Sequence, residues 1–284
     1  MLANLFIALR EGLEASLVVG ILIAYVVRMN RRDAIRPIWA GVGLAVALSL
    51  VIGIALAQIS GLPDAVFELI AGSLSLIACA LVTWMVFWMA KTARSMRGSL
   101  EAGIEKTLAG GALGLMVIAF VSVGREGVET ALFLWAAAQA AGQSALPLLG
   151  AVVGLAIAAA LGFAIYRGMV RLNLKSFFTW SGSFLIILAG GVLAYGIHEL
   201  QEVGLLPGGE SVAFDVSVAV PSDSWYGSLL RGTIGFRPEM TWLEVGIWAV
   251  YVAVTLTLFL RMSTRSLPGV TTTPTTRVGA AAHN

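Results

Sequence analysis

Seven apolar runs, each close to or beyond the 20 or so residues needed to cross a bilayer as a helix, dominate the chain. They fall at about Leu2–Val27, Pro37–Ile59, Ala65–Ala90, Thr107–Ala140, Leu146–Arg167, Phe177–Leu200 and Trp242–Leu260. Runs of this length are too long for barrel strands, and in hydrocarbon only helices or closed barrels satisfy their own backbones. Of the 284 residues, 58% are hydrophobic and 12% charged, whereas soluble domains carry about 25% charged residues. The expected fold is therefore an all-α polytopic membrane protein with seven transmembrane helices.

Charge in the loops sets the expected orientation. Arg28, Arg31, Arg32 and Arg36 follow the first run, and Lys91, Arg94, Arg97 and Lys106 follow the third. Arg167, Arg171 and Lys175 follow the fifth, and Arg261 and Arg265 the seventh. The connections after runs two and four have no Lys or Arg, and the long one after run six has only Arg231 and Arg237. Basic loops stay cytoplasmic, so the N-terminus is expected outside and the C-terminus inside. The N-terminal run lacks a basic flank and is broken by charges, so it is read as a retained helix and not a cleaved signal. The transmembrane domain is expected over 1–261, with an extracellular segment at 201–241 and helix seven at 242–261. Within that segment, Ser211–Val220 alternates like a strand and Ser222–Gly232 suits a short interfacial helix. Residues 262–284, rich in Thr, Pro and Ala toward the end, are read as a disordered cytoplasmic tail.

Two runs contain charges in their interiors. Arg10-Glu11-Gly12-Leu13-Glu14 recurs as Arg125-Glu126-Gly127-Val128-Glu129, and Ala71-Gly72-Ser73-Leu74 resembles Ser181-Gly182-Ser183-Phe184. The offsets, about 115 and about 110 residues, suggest two three-helix repeats, at about 1–106 and 107–200. Three helices per repeat is odd, so the second repeat is inverted and the seventh helix is an addition. Transporters of this construction place their site near mid-membrane between the repeats.

At about 100° per residue, each motif puts two carboxylates and one guanidinium on one helix face. Six uncompensated charges at mid-bilayer would cost on the order of 15–20 kcal/mol. If the faces meet, Glu11, Glu14, Glu126 and Glu129 surround one space, and a carboxylate cluster is the natural oxygen cage for a hard cation. Arg10 and Arg125 hold the carboxylates as supporting ion pairs. Gly12 and Gly127 permit either close helix approach or local unwinding. The alternative is an internal Arg–Glu network that pins one helix to the other. Its two glutamates per arginine leave a net −2, where a structural network would balance.

A second acidic group, Asp64, Glu68, His198, Glu199 and Glu202, lies near the expected outer surface, followed by Glu210, Asp215 and Asp223 in the loop. Such residues concentrate cations at a mouth, although loop carboxylates are ordinarily plain solvated charge. Glu101 and Glu105 mark an inner exit. His198-Glu199-Leu200-Gln201-Glu202 lacks the second histidine of a zinc-protease helix. Met85, Met89 and Met96 read as packing. The single Cys79 excludes an intrachain disulfide and a multi-cysteine metal site.

Two R-E-G-[LV]-E motifs in a seven-span chain, with Gly235-Phe236-Arg237-Pro238 before the last helix, resemble the oxidase-dependent iron permease family, in particular its bacterial branch. The resemblance covers most of the chain. It implies high-affinity iron import across the plasma (inner) membrane, with iron as transported substrate (Fe³⁺ or Fe²⁺), Fe³⁺ being supplied by an oxidising partner, and no organic cofactor. It implies that Glu11, Glu14, Glu126 and Glu129 are iron ligands. The expected partner beyond the bilayer is an extracytoplasmic iron-binding or oxidising protein, EfeO/EfeB-like in bacteria or a multicopper oxidase in fungi. The chain has no large extracytoplasmic domain of its own to do that work. A homo-oligomer is compatible with the resemblance. Competing readings are a permease for Mn²⁺, Zn²⁺ or Pb²⁺, since carboxylates discriminate weakly among such ions, a membrane di-iron oxidoreductase, and a scaffolding membrane subunit. The Glu-x-x-His pairs of di-iron bundles are missing at both motifs.

Overall fold

The computed structural model describes residues 2–92, 111–141, 146–169, 173–221, 224, 226–227, 230–231 and 235–264. Among them are seven long α-helices: α1 Leu2–Arg28, α2 Ile35–Gln58, α3 Asp64–Thr92, α4 Gly111–Ala141, α5 Leu146–Tyr166, α6 Leu174–Glu202 and α7 Trp242–Thr264. Five of these, α2, α3, α5, α6 and α7, are long and apolar enough to cross a membrane on length and composition. The other two, α1 and α4, carry the Arg-Glu motifs. The chain is a multi-pass membrane protein, as the apolar faces of α2 and α5 make plain: Leu50, Ile54 and Leu148 are each more than 60% exposed. Such side chains are compatible with lipid and not with water.

The helices pair across the two halves of the chain. α1 packs on α5, α2 on α4 and α3 on α6; α1 also meets α4, and α7 leans on α6. Small residues set the spacing of these pairs. A Cβ on Gly12 would lie 2.8 Å from Ala158 Cβ, and one on Gly127 would overlap Ser49 Oγ. The backbone is helical through both glycines. Of the two roles open to them, the structure uses close approach and not unwinding. The principal core lies between α1, α3, α4, α6 and α7 and includes Ile7, Met85, Met89, Phe133, Leu185 and Phe259. Met85 and Met89 are thus packing residues, as their spacing suggested; Met96 lies outside the described residues. A second cluster, Leu22, Ile38, Leu115 and Ala119, joins α1, α2 and α4.

The architecture departs from all-α in one place. Val212–Asp215 (β1) pairs antiparallel with Glu239–Thr241 (β2), so only part of the alternating stretch 211–220 forms a strand, and its partner lies beyond the intervening loop. β2 runs straight into α7, where the Thr241 hydroxyl accepts from Glu244 N–H at 3.2 Å. The Thr241-Trp242-Leu243-Glu244 spacing is that of a capping box, and half of that box forms. The Glu244 carboxylate instead meets His198 Nδ1 at 3.1 Å, because a buried charge gains more from a charge-assisted partner on α6 than from its own helix end. Most of 222–232, including Asp223, and all of 265–284 lie outside the described residues, as do Glu101 and Glu105.

Candidate metal centre

In each motif one glutamate follows the arginine directly and the other lies one turn further on, so each motif closes its own ion pairs. On α1, Arg10 Nε is 3.3 Å from Glu14 Oε1 and Arg10 Nη1 is 4.0 Å from Glu11 Oε1. On α4, Arg125 Nη2 donates to Glu126 Oε1 at 2.7 Å, and Arg125 Nε is 3.5 Å from Glu129 Oε1. Both guanidiniums lie near aromatic rings on other helices. Arg125 sits 4.9 Å from the Trp88 ring centroid and Arg10 6.0 Å from that of Phe178, the range of cation–π attraction. Those rings belong to α3 and α6, and nothing in the sequence links them to the motifs.

The two motifs meet. One carboxylate oxygen each from Glu11, Glu126 and Glu129 lies within 4.8 Å of the others. Oxygens sharing one ion at about 2.0–2.6 Å are separated by at most about 4–5 Å, so the three form a cage that a single cation fits after small movements. No other group of three His, Cys, Asp or Glu ligand atoms comes so close among the described residues. Both oxygens of Glu11, and Oε2 of Glu126 and of Glu129, are buried without a hydrogen-bond partner. Orphaned anionic oxygens in a dry interior are costly, and a cation is the partner that removes the cost. Glu14 stands apart from the triad and faces Arg10.

The two halves are not equally enclosed. The side chain of Arg10 is 1% exposed and that of Arg125 is 42% exposed. The α1 motif is therefore enclosed, while on α4 the arginine is half-exposed beside Trp88 and its two glutamates are largely buried.

The outer acidic group lies apart from this cage. Asp64 is exposed, Glu68 half-buried, Glu199 buried and Glu202 exposed. Tyr195 bonds Glu199, and Glu68 is close enough to repel it. His198 is engaged at both nitrogens: Arg237, which only donates, reaches Nε2 at 2.7 Å, so Nδ1 donates to Glu244. In this arrangement its imidazole joins α6, α7 and the Gly235–Pro238 stretch and offers no lone pair to an incoming ion.

Membrane-length helices thus converge two sets of charged side chains on one buried point. The family described as the iron permease FTR1 family matches residues 1–268, and the chain belongs to it. It is 38% identical over 264 residues to the ferrous iron permease EfeU of Escherichia coli O6:H1, covering 92% of this chain and 95% of that protein. To EfeU of Yersinia pestis it is 35% identical over 263 residues, covering 91% and 93%. No solved structure matches. Members of the family are permeases, so the chain is a transporter and not an enzyme.

Proposed function

We propose that this protein imports iron across the plasma (inner) membrane through a site built by Glu11, Glu126 and Glu129, with Glu14 as a neighbouring carboxylate. The observation that carries this reading is the convergence of unpartnered carboxylate oxygens from two distant motifs at one buried point. Arg10 and Arg125 occupy the carboxylates when no ion is bound and yield them when one arrives. The helix pairing supports two inverted repeats: exchanging α1, α2 and α3 for α4, α5 and α6 turns each main contact into another of the set. Such an arrangement rocks around a fixed central site. Glu68, Glu199 and Glu202 collect the cation outside, and Glu101 and Glu105 receive it inside. An extracytoplasmic iron-binding or oxidising protein of separate origin delivers it.

Three considerations bear on valence. The resemblance to oxidase-dependent permeases favours Fe³⁺ delivery. Four glutamates against two arginines leave −2, which a divalent ion neutralises, and the EfeU relatives are named for ferrous iron. Purified protein in liposomes tests both, with uptake of Fe²⁺ held reduced and of chelated Fe³⁺ measured separately. Glu126→Gln and Glu11→Gln should each lower uptake by about 100-fold, the upper range for damage to a metal site, with the protein still folded in the membrane. Undiminished uptake by both variants sinks the proposal. Matching uptake of Mn²⁺ or Zn²⁺ would replace iron with a broader cation.

A further inference from the structure

On the outward side of the carboxylate cage the path is closed by hydrocarbon. Ile7 lies one turn from Glu11 toward the Leu2 end of α1, and Phe133 lies one turn from Glu129 toward the Ala141 end of α4. Both are almost fully buried. With Cys79 and Val82 of α3 and Leu185 and Leu188 of α6, they line a cavity of about 20 Å³ walled by apolar atoms. The space is just large enough for one water, but a water needs two to four polar partners to stay. The cavity is therefore dry. On the opposite side of the cage Arg125 is 42% exposed, on the same α4 face as Val117, Val121 and Val128.

We propose that the layer formed by Ile7, Val82, Phe133, Leu185 and Leu188 is the outer gate of the permease, and that Phe133 is the residue that controls access to the carboxylates. The inference rests on the permease reading. A hydrated cation cannot cross a dry constriction of this kind until the side chains part and the gap wets. Phe133 is the largest side chain among the five and stands next to a cage ligand on the same helix, so rotation or outward movement of α4 carries gate and ligand together.

The chain supplies its own reporter, because Cys79 is its only cysteine and lines the cavity. A membrane-impermeant methanethiosulfonate reagent is applied from outside to the full-length protein in right-side-out vesicles without iron. Cys79 should label slowly in the unmodified protein, at least about tenfold faster in Phe133→Ala, in proportion to the open population, and not at all in Cys79→Ser. Should Phe133→Ala fail to give a monodisperse protein, Phe133→Leu is the milder opening and should show a smaller rise. In the opposite direction, Phe133→Trp should slow iron uptake several-fold while iron binding to the detergent-solubilised protein is unchanged. The gate is overturned if Cys79 of the unmodified protein reacts as fast as in denatured protein, or if neither smaller side chain speeds labelling. Labelling uses no iron, so the two readings fail separately: persistent uptake by Glu126→Gln removes the permease site, whereas unchanged labelling removes only the gate.

Discussion

At the scale of single residues, the two motifs share a sequence pattern and differ in environment. Arg10 is enclosed with Glu11 and Glu14, all three nearly inaccessible, whereas Arg125 is half-open. Removing one partner of a fully buried ion pair costs about 3–5 kcal/mol, because the remaining charge stays desolvated. Arg10→Ala should therefore lower the melting temperature of the detergent-solubilised protein markedly, and Arg125→Ala by less, because the half-exposed Arg125 gives up less packing, although the Glu126 and Glu129 it leaves are themselves largely buried. Equal losses would show that the asymmetric burial has no energetic weight. The glutamates divide in a related way. Glu14 lies outside the triad of converging oxygens, so Glu14→Gln should retain more iron uptake than Glu126→Gln when both are assayed in the same liposomes. The sequence made the six charged residues legible, because charge inside an apolar run is conspicuous. It could not rank Glu14 below its neighbours, since a helical wheel fixes an arc on one helix and says nothing of where the facing helix presents its oxygens.

At the scale of elements, hydropathy located all seven helices to within a few residues at most boundaries. The expected start of α4, Thr107, lies outside the described residues. The two helices that fall outside the apolar membrane-length set, α1 and α4, are the ones that carry the Arg-Glu motifs. Pairing was not legible: that α1 lies along α5 depends on surfaces far apart in sequence. Gly12 meets Ala158 in that pair, where a Cβ on Gly12 would fall 2.8 Å from Ala158 Cβ. Gly12→Ala should cost about 1–3 kcal/mol by overpacking, and Ala158→Gly in the same chain should return part of it. Thermal unfolding of the two single variants and the double gives the coupling. Purely additive losses would mean that the helices adjust and the close approach is not needed. The link between α6 and α7 was also hidden, because the Thr241–Glu244 spacing reads as a closed capping box, while Glu244 turns to His198 and so ties Arg237 to the bundle.

At the scale of the whole molecule, loop charge and helix pairing both bear on topology. Connections rich in Lys and Arg alternate with connections that have few or none, and the contacts between halves map onto one another when the halves are exchanged. An inverted relation between the repeats requires α1 and α4 to start on opposite sides of the membrane. The test uses single cysteines in a Cys79→Ser background. Leu62→Cys and Glu210→Cys lie in connections expected outside, and Asp33→Cys and Met169→Cys in connections expected inside; Glu210, Asp33 and Met169 are exposed, as is the side chain of Leu62. An impermeant maleimide added to intact cells should label Leu62→Cys and Glu210→Cys at once, and the other two only after permeabilisation. Labelling of Asp33→Cys from outside would reverse the molecule. Labelling of Leu62→Cys and Met169→Cys together from one side would break the inverted pairing, because three helices separate them. If the alternation holds, Ile7 and Phe133 lie on the outer side of the carboxylates, and the proposed gate takes its side from that orientation.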